Sequence, residues 1–225
     1  MIKNIYNLGD AALYCDFGNV VNKETNLKVI NYFKDLKKKN ISGIKNIAPS
    51  YNKLIIYFDL EHTNYKKIKD TIQNLDISTF GETKTKVVQI PVCFEDEFAL
   101  DLERVEKKMG LVKKEIINQL IKQKYFCYMT GFIAGMPFLG DISEKIRLDR
   151  LETPRVKVPK GSLGITEQFC NIYTFESPGG WNIIGNSPKK IFTKDQSKLT
   201  LIDPGDEVEF FEITKKEYKK LNEQK

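Results

Sequence analysis

The sequence predicts an α+β chain of two units, a ferredoxin-like domain over residues 1–84 and a β-barrel or sandwich over residues 85–225. Three observations lead there. Elements in the first third read in the order β-α-β-β-α-β. The polar stretch Thr79 to Lys86, which contains Gly81, then breaks the pattern and marks a boundary. Beyond it, short apolar runs are separated by glycine and proline, as expected of short strands joined by tightly specified turns.

Ala11 to Phe17 reads as a strand stopped by Gly18, and Asn26 to Lys39 sets Leu27, Ile30, Tyr32, Phe33 and Leu36 near one helix face. Ile44 to Ala48 and Leu54 to Phe58 are strands on either side of Pro49. Tyr65 to Leu75 is a second amphipathic helix, and extended Lys84 to Val92 closes the first pattern. In the second unit, Leu100 to Met109 is a helix stopped by Gly110, and Lys113 to Gln123 carries an apolar stripe of Ile116, Ile117, Leu120 and Ile121. Tyr125 to Thr130 is a strand. Late strands at Leu199–Ile202 and Val208–Ile213 flank a plain turn, Asp203–Asp206, and the charged tail from Lys215 is a short helix or frayed end.

Composition narrows the function classes. Hydrophobic residues make up 41% and charged residues 29%, ordinary for a soluble globular protein. The net charge of +6 comes from lysines interleaved with acidic and apolar residues, as on solvated helix faces. No aromatic-and-arginine platform accompanies them, so nucleic acid is not the expected partner. Four scattered cysteines without a C-x-x-C pair and no apolar signal core or membrane-length run point to a reducing cytoplasm, with no membrane partner. The single histidine, His62, leaves no metal site or Ser-His-Asp triad to build and reads as a solvated loop or helix-start residue.

Chemistry-bearing candidates concentrate between Thr153 and Pro188, which holds four of the eight prolines and five of the fourteen glycines. Alternation in P-R-V-K-V-P-K-G-S sets Arg155 and Lys157 on one strand face ahead of Ser162. Two cations on one face meet either acids across the barrel or an anionic ligand, and both readings stand. In S-P-G-G-W, Ser177 to Trp181, Gly179 and Gly180 allow backbone N–H groups to converge on an oxyanion, or the turn simply seats the sole tryptophan in the core. Gly131–Gly140 lacks the lysine and spacing of a phosphate loop; it presents Phe132, Met136 and Phe138 as core or as a pocket wall.

Several phrases together resemble the family of the B-type subunits of prokaryotic 5-oxoprolinase, also known as the sporulation-kinase-inhibitor (KipI) or allophanate hydrolase subunit 1 family. They are P-V-C-F (Pro91–Phe94), Y-M-T-G-F (Tyr128–Phe132), T-P-R-V-K-V-P-K-G-S (Thr153–Ser162), S-P-G-G-W-N-I-I-G (Ser177–Gly185) and P-G-D-E-V-E-F (Pro204–Phe210). The resemblance implies a ferredoxin-like domain followed by a cyclophilin-like β-barrel, in a hydrolase subunit that works with A- and C-type partners to open 5-oxo-L-proline to L-glutamate with ATP. ATP would be bound by, or shared with, those partners. Arg155, Lys157, Ser162, Phe132, Ser177, Gly179, Gly180 and Trp181 would line a shared substrate pocket, with no catalytic residue assigned. Other readings implied by the resemblance are an inhibitor that binds a sensor histidine kinase, or half of a biotin-dependent carboxyltransferase. The sequence departs from the family pattern at Glu95–Leu102, Leu120, Ala134–Met136, Thr166–Asn171 and Asn186, which removes a histidine, a glutamine and an arginine from the polar chemistry that the resemblance would imply.

Overall fold

A computed structural model describes residues 1–75, 85–194 and 198–223, and the chain divides into two compact units, Met1–Lys84 and Thr85–Lys225. Most of the polar stretch read as a boundary lies outside the described residues.

In the first unit, β1 (Asn4–Asn7), β2 (Ala12–Asp16), β3 (Ile44–Pro49) and β4 (Lys53–Phe58) form an antiparallel sheet in the order β1-β2-β4-β3. Period-two alternation along β4 buries Leu54, Ile56 and Phe58. They pack with Val29 and Leu36 of α1 (Lys23–Lys39) and Ile68 and Ile72 of α2 (Tyr65–Gln73). Each helix starts at an asparagine cap. Asn22 Oδ1 accepts from Thr25 N–H at 2.9 Å, and Asn64 Oδ1 from Lys67 N–H at 3.0 Å. That cap starts α1 ahead of its apolar stripe. Asn26, fully buried in the first turn, donates to the Ser50 and Tyr51 carbonyls at 2.8 and 2.7 Å and ties the helix to the β3–β4 turn.

Two expectations need correcting here. The run ending at Val92 does not close this sheet, because Val87–Val92 is β5 of the second unit, where it pairs in parallel with a late strand. The flank of β2 is taken instead by β1, a short and mostly exposed strand with no apolar pattern to announce it.

Asp16 joins the sheet to the following loop: Oδ1 accepts from Lys53 Nζ at 2.6 Å and from Gly18 N–H at 2.7 Å. The Lys53 hydrogen bond, then the Gly18 amide, hold its carboxyl below the usual range. A depressed carboxyl stabilises the fold above its unfolded pKa, about 3.9, and that contribution is lost as pH falls through the folded value. Asp16→Asn should therefore cost on the order of 1 kcal/mol at neutral pH, and the gap in melting temperature from wild type should shrink below about pH 3. A gap that stays constant down to that pH would contradict the assignment.

The second unit contributes, in chain order, β5 (Val87–Val92), α3 (Leu102–Met109), α4 (Lys113–Ile121), β6 (Lys124–Thr130), β7 (Pro137–Gly140), β8 (Arg155–Val158), β9 (Ser162–Thr166), β10 (Phe169–Ile172), β11 (Ser177–Gly179), β12 (Asn182–Asn186), β13 (Glu207–Glu212) and α5 (Lys215–Glu223). Seven strands form one sheet, β12-β9-β10-β7-β6-β13-β5, while β8 and β11 pair as a separate ribbon. The seven-stranded sheet curls into a half-barrel. Its edge strands meet at one end, where Cys93 and Asn186 exchange both backbone hydrogen bonds at 2.8 and 3.0 Å. Gly185 makes that seam possible, because a Cβ there would fall 2.8 Å from Val92 Cγ1 and 3.0 Å from the Cys93 carbonyl. Asn186, one of the departures from the family pattern, is thus part of the closure. Its amide also donates to the Lys160 carbonyl at 3.0 Å and accepts from Tyr218 Oη at 2.9 Å.

One sheet face, with Leu139, Cys170, Leu163, Ile165 and Val208, forms the main core against Leu102 and Val105 of α3 and Ile116, Ile117 and Leu120 of α4. A smaller cluster of Met136, Val158, Tyr173 and Ile183 lies apart from it. The expected strand at Leu199–Ile202 is absent; only Thr200 bridges, to Phe192. Asp203 accounts for this by accepting from Thr200 Oγ1 at 2.7 Å and from Lys198 Nζ at 2.5 Å, which folds the segment into the following turn. All four cysteines are free and buried, and burial pushes the Cys15 thiol up to about 12. Among the described residues no helix is long and apolar enough to cross a membrane.

Candidate functional site

The ribbon of β8 and β11 brings the two sequence candidates together: Gly179 lies opposite Arg155, and Ser177 opposite Val158. The cations themselves are spoken for. Arg155 grips Asp101 with both prongs of its guanidinium, at 2.8 and 2.5 Å. Lys157 pairs at 3.2 Å with Glu176 on the exposed rim. Asp101 is 5% exposed and also accepts from Ile183 N–H at 2.7 Å, while its own N–H donates to the Ile183 carbonyl at 2.8 Å. Arg104, one turn into α3, hydrogen bonds Asn182 Oδ1, and Asn182 Nδ2 spans the carbonyls of Asp149 and Ile165 at 3.0 and 3.1 Å. A single polar clamp therefore fixes the start of α3, β12 and the β8–β11 ribbon.

The glycine pair works by close approach. Neither Gly179 nor Gly180 has a left-handed backbone, but a Cβ on Gly179 would collide with Tyr173 Oη. On Gly180 it would meet Arg150 Nε and Nη2 at 3.1 Å. Ser177 Oγ is buried without a hydrogen-bond partner, and Ser162 is buried where β9 meets the barrel seam. Trp181 is half-buried with its ring edge-on to Phe138 at 5.6 Å. Phe132 is 67% exposed at φ 67°, so the ring against Trp181 is Phe138. A side chain in that backbone region is strained, and loops that tolerate such strain are often functional.

Sequence reasoning missed Asp101, Arg104, Asn182, Arg150, Asn171 and Tyr173. One signal was available: all four arginines lie between residues 104 and 155, in a chain whose other fixed cations are lysines. Planar, forked recognition is what arginine offers and lysine does not.

The Gly131–Gly140 loop does not fit a triphosphate. The Gly131, Ile133 and Met136 amides point back to carbonyls of the loop itself, at 3.0, 2.9 and 3.2 Å, so these three are not available to cradle a phosphate. His62 lies exposed in a turn with Nδ1 3.2 Å from Asp59. Asp59, Glu61 and His62 are close enough to share a cation, but Lys45 Nζ already sits 3.1 Å from the Asp59 carboxylate.

Residues 3–202 match the family described as carboxyltransferase domain, subdomain C and D. The chain is 31% identical over 232 residues to the B subunit of 5-oxoprolinase from Bacillus subtilis, an alignment that covers 98% of this chain and 97% of that protein. Among solved structures, TTHA0988 superposes with a TM-score of 0.82 at 27% identity; 91% of this chain is covered, but only 40% of that one. K. lactis urea amidolyase shares the fold, with a TM-score of 0.79 at 19% identity over 98% of this chain and 15% of its own.

Proposed function

The chain belongs to the carboxyltransferase-domain family that includes the B subunits of 5-oxoprolinase, and from that membership we propose that it is the B subunit of an ATP-dependent 5-oxoprolinase. The observation that carries this reading is the end-to-end match, at 31% identity, with a protein of that name and nearly the same length. The site agrees with a polypeptide that does not act alone. Its candidate cation Arg155 is held by Asp101 in an internal clamp, and the Gly131, Ile133 and Met136 amides of its glycine loop bond within the loop. Nucleotide binding and the chemical step therefore fall to the A and C subunits, with this barrel supplying one wall of a shared pocket.

Opening the lactam breaks the ring C–N bond and adds water across it. Phosphorylation of the amide oxygen by ATP makes that carbon electrophilic, and its loss as phosphate drives the step. In this arrangement the Ser177–Trp181 turn and Ser162 shape the wall. Arg155, fixed by Asp101, braces the turn, and Lys157 with Phe132 lies on the exposed rim where a partner would close. The test is co-expression with homologues of the A and C subunits, followed by 5-oxo-L-proline-dependent ATP hydrolysis with and without this chain. Activity should require it; full activity in its absence would overturn the proposal. A carboxyltransferase reading has the family match over residues 3–202 and a fold likeness at 19% identity behind it, but no site residue of its own.

A further inference from the structure

Three of the four arginines have a partner that explains them. Arg155 holds Asp101, Arg104 holds Asn182, and Arg147 donates to the Ile142 carbonyl at 3.1 Å beside Glu144. Arg150 makes no ion pair among the described residues. Its guanidinium lies exposed against Gly180, in space that any side chain at 180 would crowd. An unpaired planar cation held over bare backbone is suited to a carboxylate.

A second, independent feature adjoins it. Asn171 is fully buried in a cross-strand row between Phe138 and Gly164, and neither Nδ2 nor Oδ1 has a partner in hydrogen-bond geometry. Leaving a buried polar group unsatisfied costs about 1–3 kcal/mol, so an orphaned amide at the centre of a sheet calls for a reason. Asn171 Oδ1 and Trp181 Cβ each lie 3.0 Å from the point where a Gly164 Cβ would sit, which puts the amide close to the base of the half-buried Trp181 side chain. Tyr173 shares the same sheet face two residues on. Burial raises its phenol, while the nearby Asn171 amide, Arg150 and the Trp181 backbone act in the opposite direction. Asn171 acts on the phenol as a nearby hydrogen-bonding group, although neither of its amide atoms meets full hydrogen-bond geometry. Guanidinium and orphaned amide therefore converge on the corner formed by Tyr173 and Trp181.

A primary amide presents its donor and acceptor on one edge. A lactam, locked cis by its ring, presents N–H and C=O the same way, so the two can pair through two parallel hydrogen bonds. We propose that Arg150 and Asn171 are a specificity-determining pair for a small lactam carboxylate, Arg150 taking the carboxylate and Asn171 the amide edge once Trp181 swings aside. This rests on the reading of the chain as a 5-oxoprolinase component and moves the anion contact away from Arg155 and Lys157.

The sole tryptophan makes the test direct. Titrating the full chain with 5-oxo-L-proline should change Trp181 emission saturably. 2-Pyrrolidinone, which lacks the carboxylate, and L-proline, which lacks the lactam, should each bind at least roughly tenfold more weakly. Arg150→Gln should weaken 5-oxo-L-proline roughly tenfold or more, and exposed Lys66→Gln should not. Asn171→Leu should lose discrimination between 5-oxo-L-proline and L-proline while holding or raising the melting temperature, a combination that a purely structural asparagine would not give. In the assembled enzyme, Arg150→Gln should raise KM for 5-oxo-L-proline at least tenfold with a smaller change in kcat. Inorganic phosphate binding as tightly as 5-oxo-L-proline, or an unchanged KM in the Arg150→Gln enzyme, would overturn the inference while the place of the chain in the 5-oxoprolinase stands. Full activity of the assembly without this chain would remove both.

Discussion

Replacing Asp101 by alanine is expected to destabilise the second unit by roughly 3–5 kcal/mol. Three groups depend on its carboxylate: both prongs of Arg155 and the Ile183 N–H. The carboxylate is 5% exposed and the arginine side chain 29%. Alanine would strand a partly desolvated cation and a buried amide without their hydrogen-bond partner. For a unit of this size the loss corresponds to a fall of about 10 °C in melting temperature. Trp181 emission isolates that transition, because the first unit contains no tryptophan. Removing both charges should be milder than removing one, so the double variant Asp101→Leu with Arg155→Leu should recover much of the stability lost in Asp101→Ala. A single-variant loss under about 1 kcal/mol would mean that solvent already satisfies Arg155.

The same clamp shows what the sequence could and could not reveal. Proline and glycine between Thr153 and Pro188 act through their own backbone, so their turns are legible locally. Period-two alternation correctly links Arg155 to Lys157 in one strand, but a charge is explained only by its partner. For Arg155 that partner is Asp101, 54 residues away at the start of a helix. Strand type and sheet membership separate in the same way. The extended run ending at Val92 is readable as a strand, yet its sheet is chosen by parallel pairing with β13, whose Glu209 lies 120 residues beyond Gln89. β1 carries no apolar alternation and could be found only through β2. Asn171 gave no local signal, since a buried asparagine and an exposed one look alike until the strands around them are placed.

Gly161→Ala should be costly for a reason that combines backbone and packing. Gly161 has φ 84°, which an alanine reaches at a cost of about 1 kcal/mol. An added Cβ would also collide with the Ser187 carbonyl and stand 2.5 Å from Asn186 Oδ1. Those atoms have little freedom to retreat. Ser187 N–H donates to the Gly161 carbonyl at 2.8 Å, Gly161 N–H donates to the Tyr173 carbonyl at 2.7 Å, and Asn186 is paired with Cys93 across the barrel seam. Relief of the clash would pull at the seam itself, so the expected loss is roughly 3 kcal/mol or more. Gly110 supplies the control within the same unit. It ends α3 at φ 66° with nothing near its missing Cβ, so Gly110→Ala should show the backbone cost alone, about 1 kcal/mol. The difference between the two variants, read from the Trp181 transition, measures how firmly Ser187 and Asn186 hold the seam. Equal losses would show that the seam yields to a methyl group and that barrel closure does not depend on a bare backbone at 161.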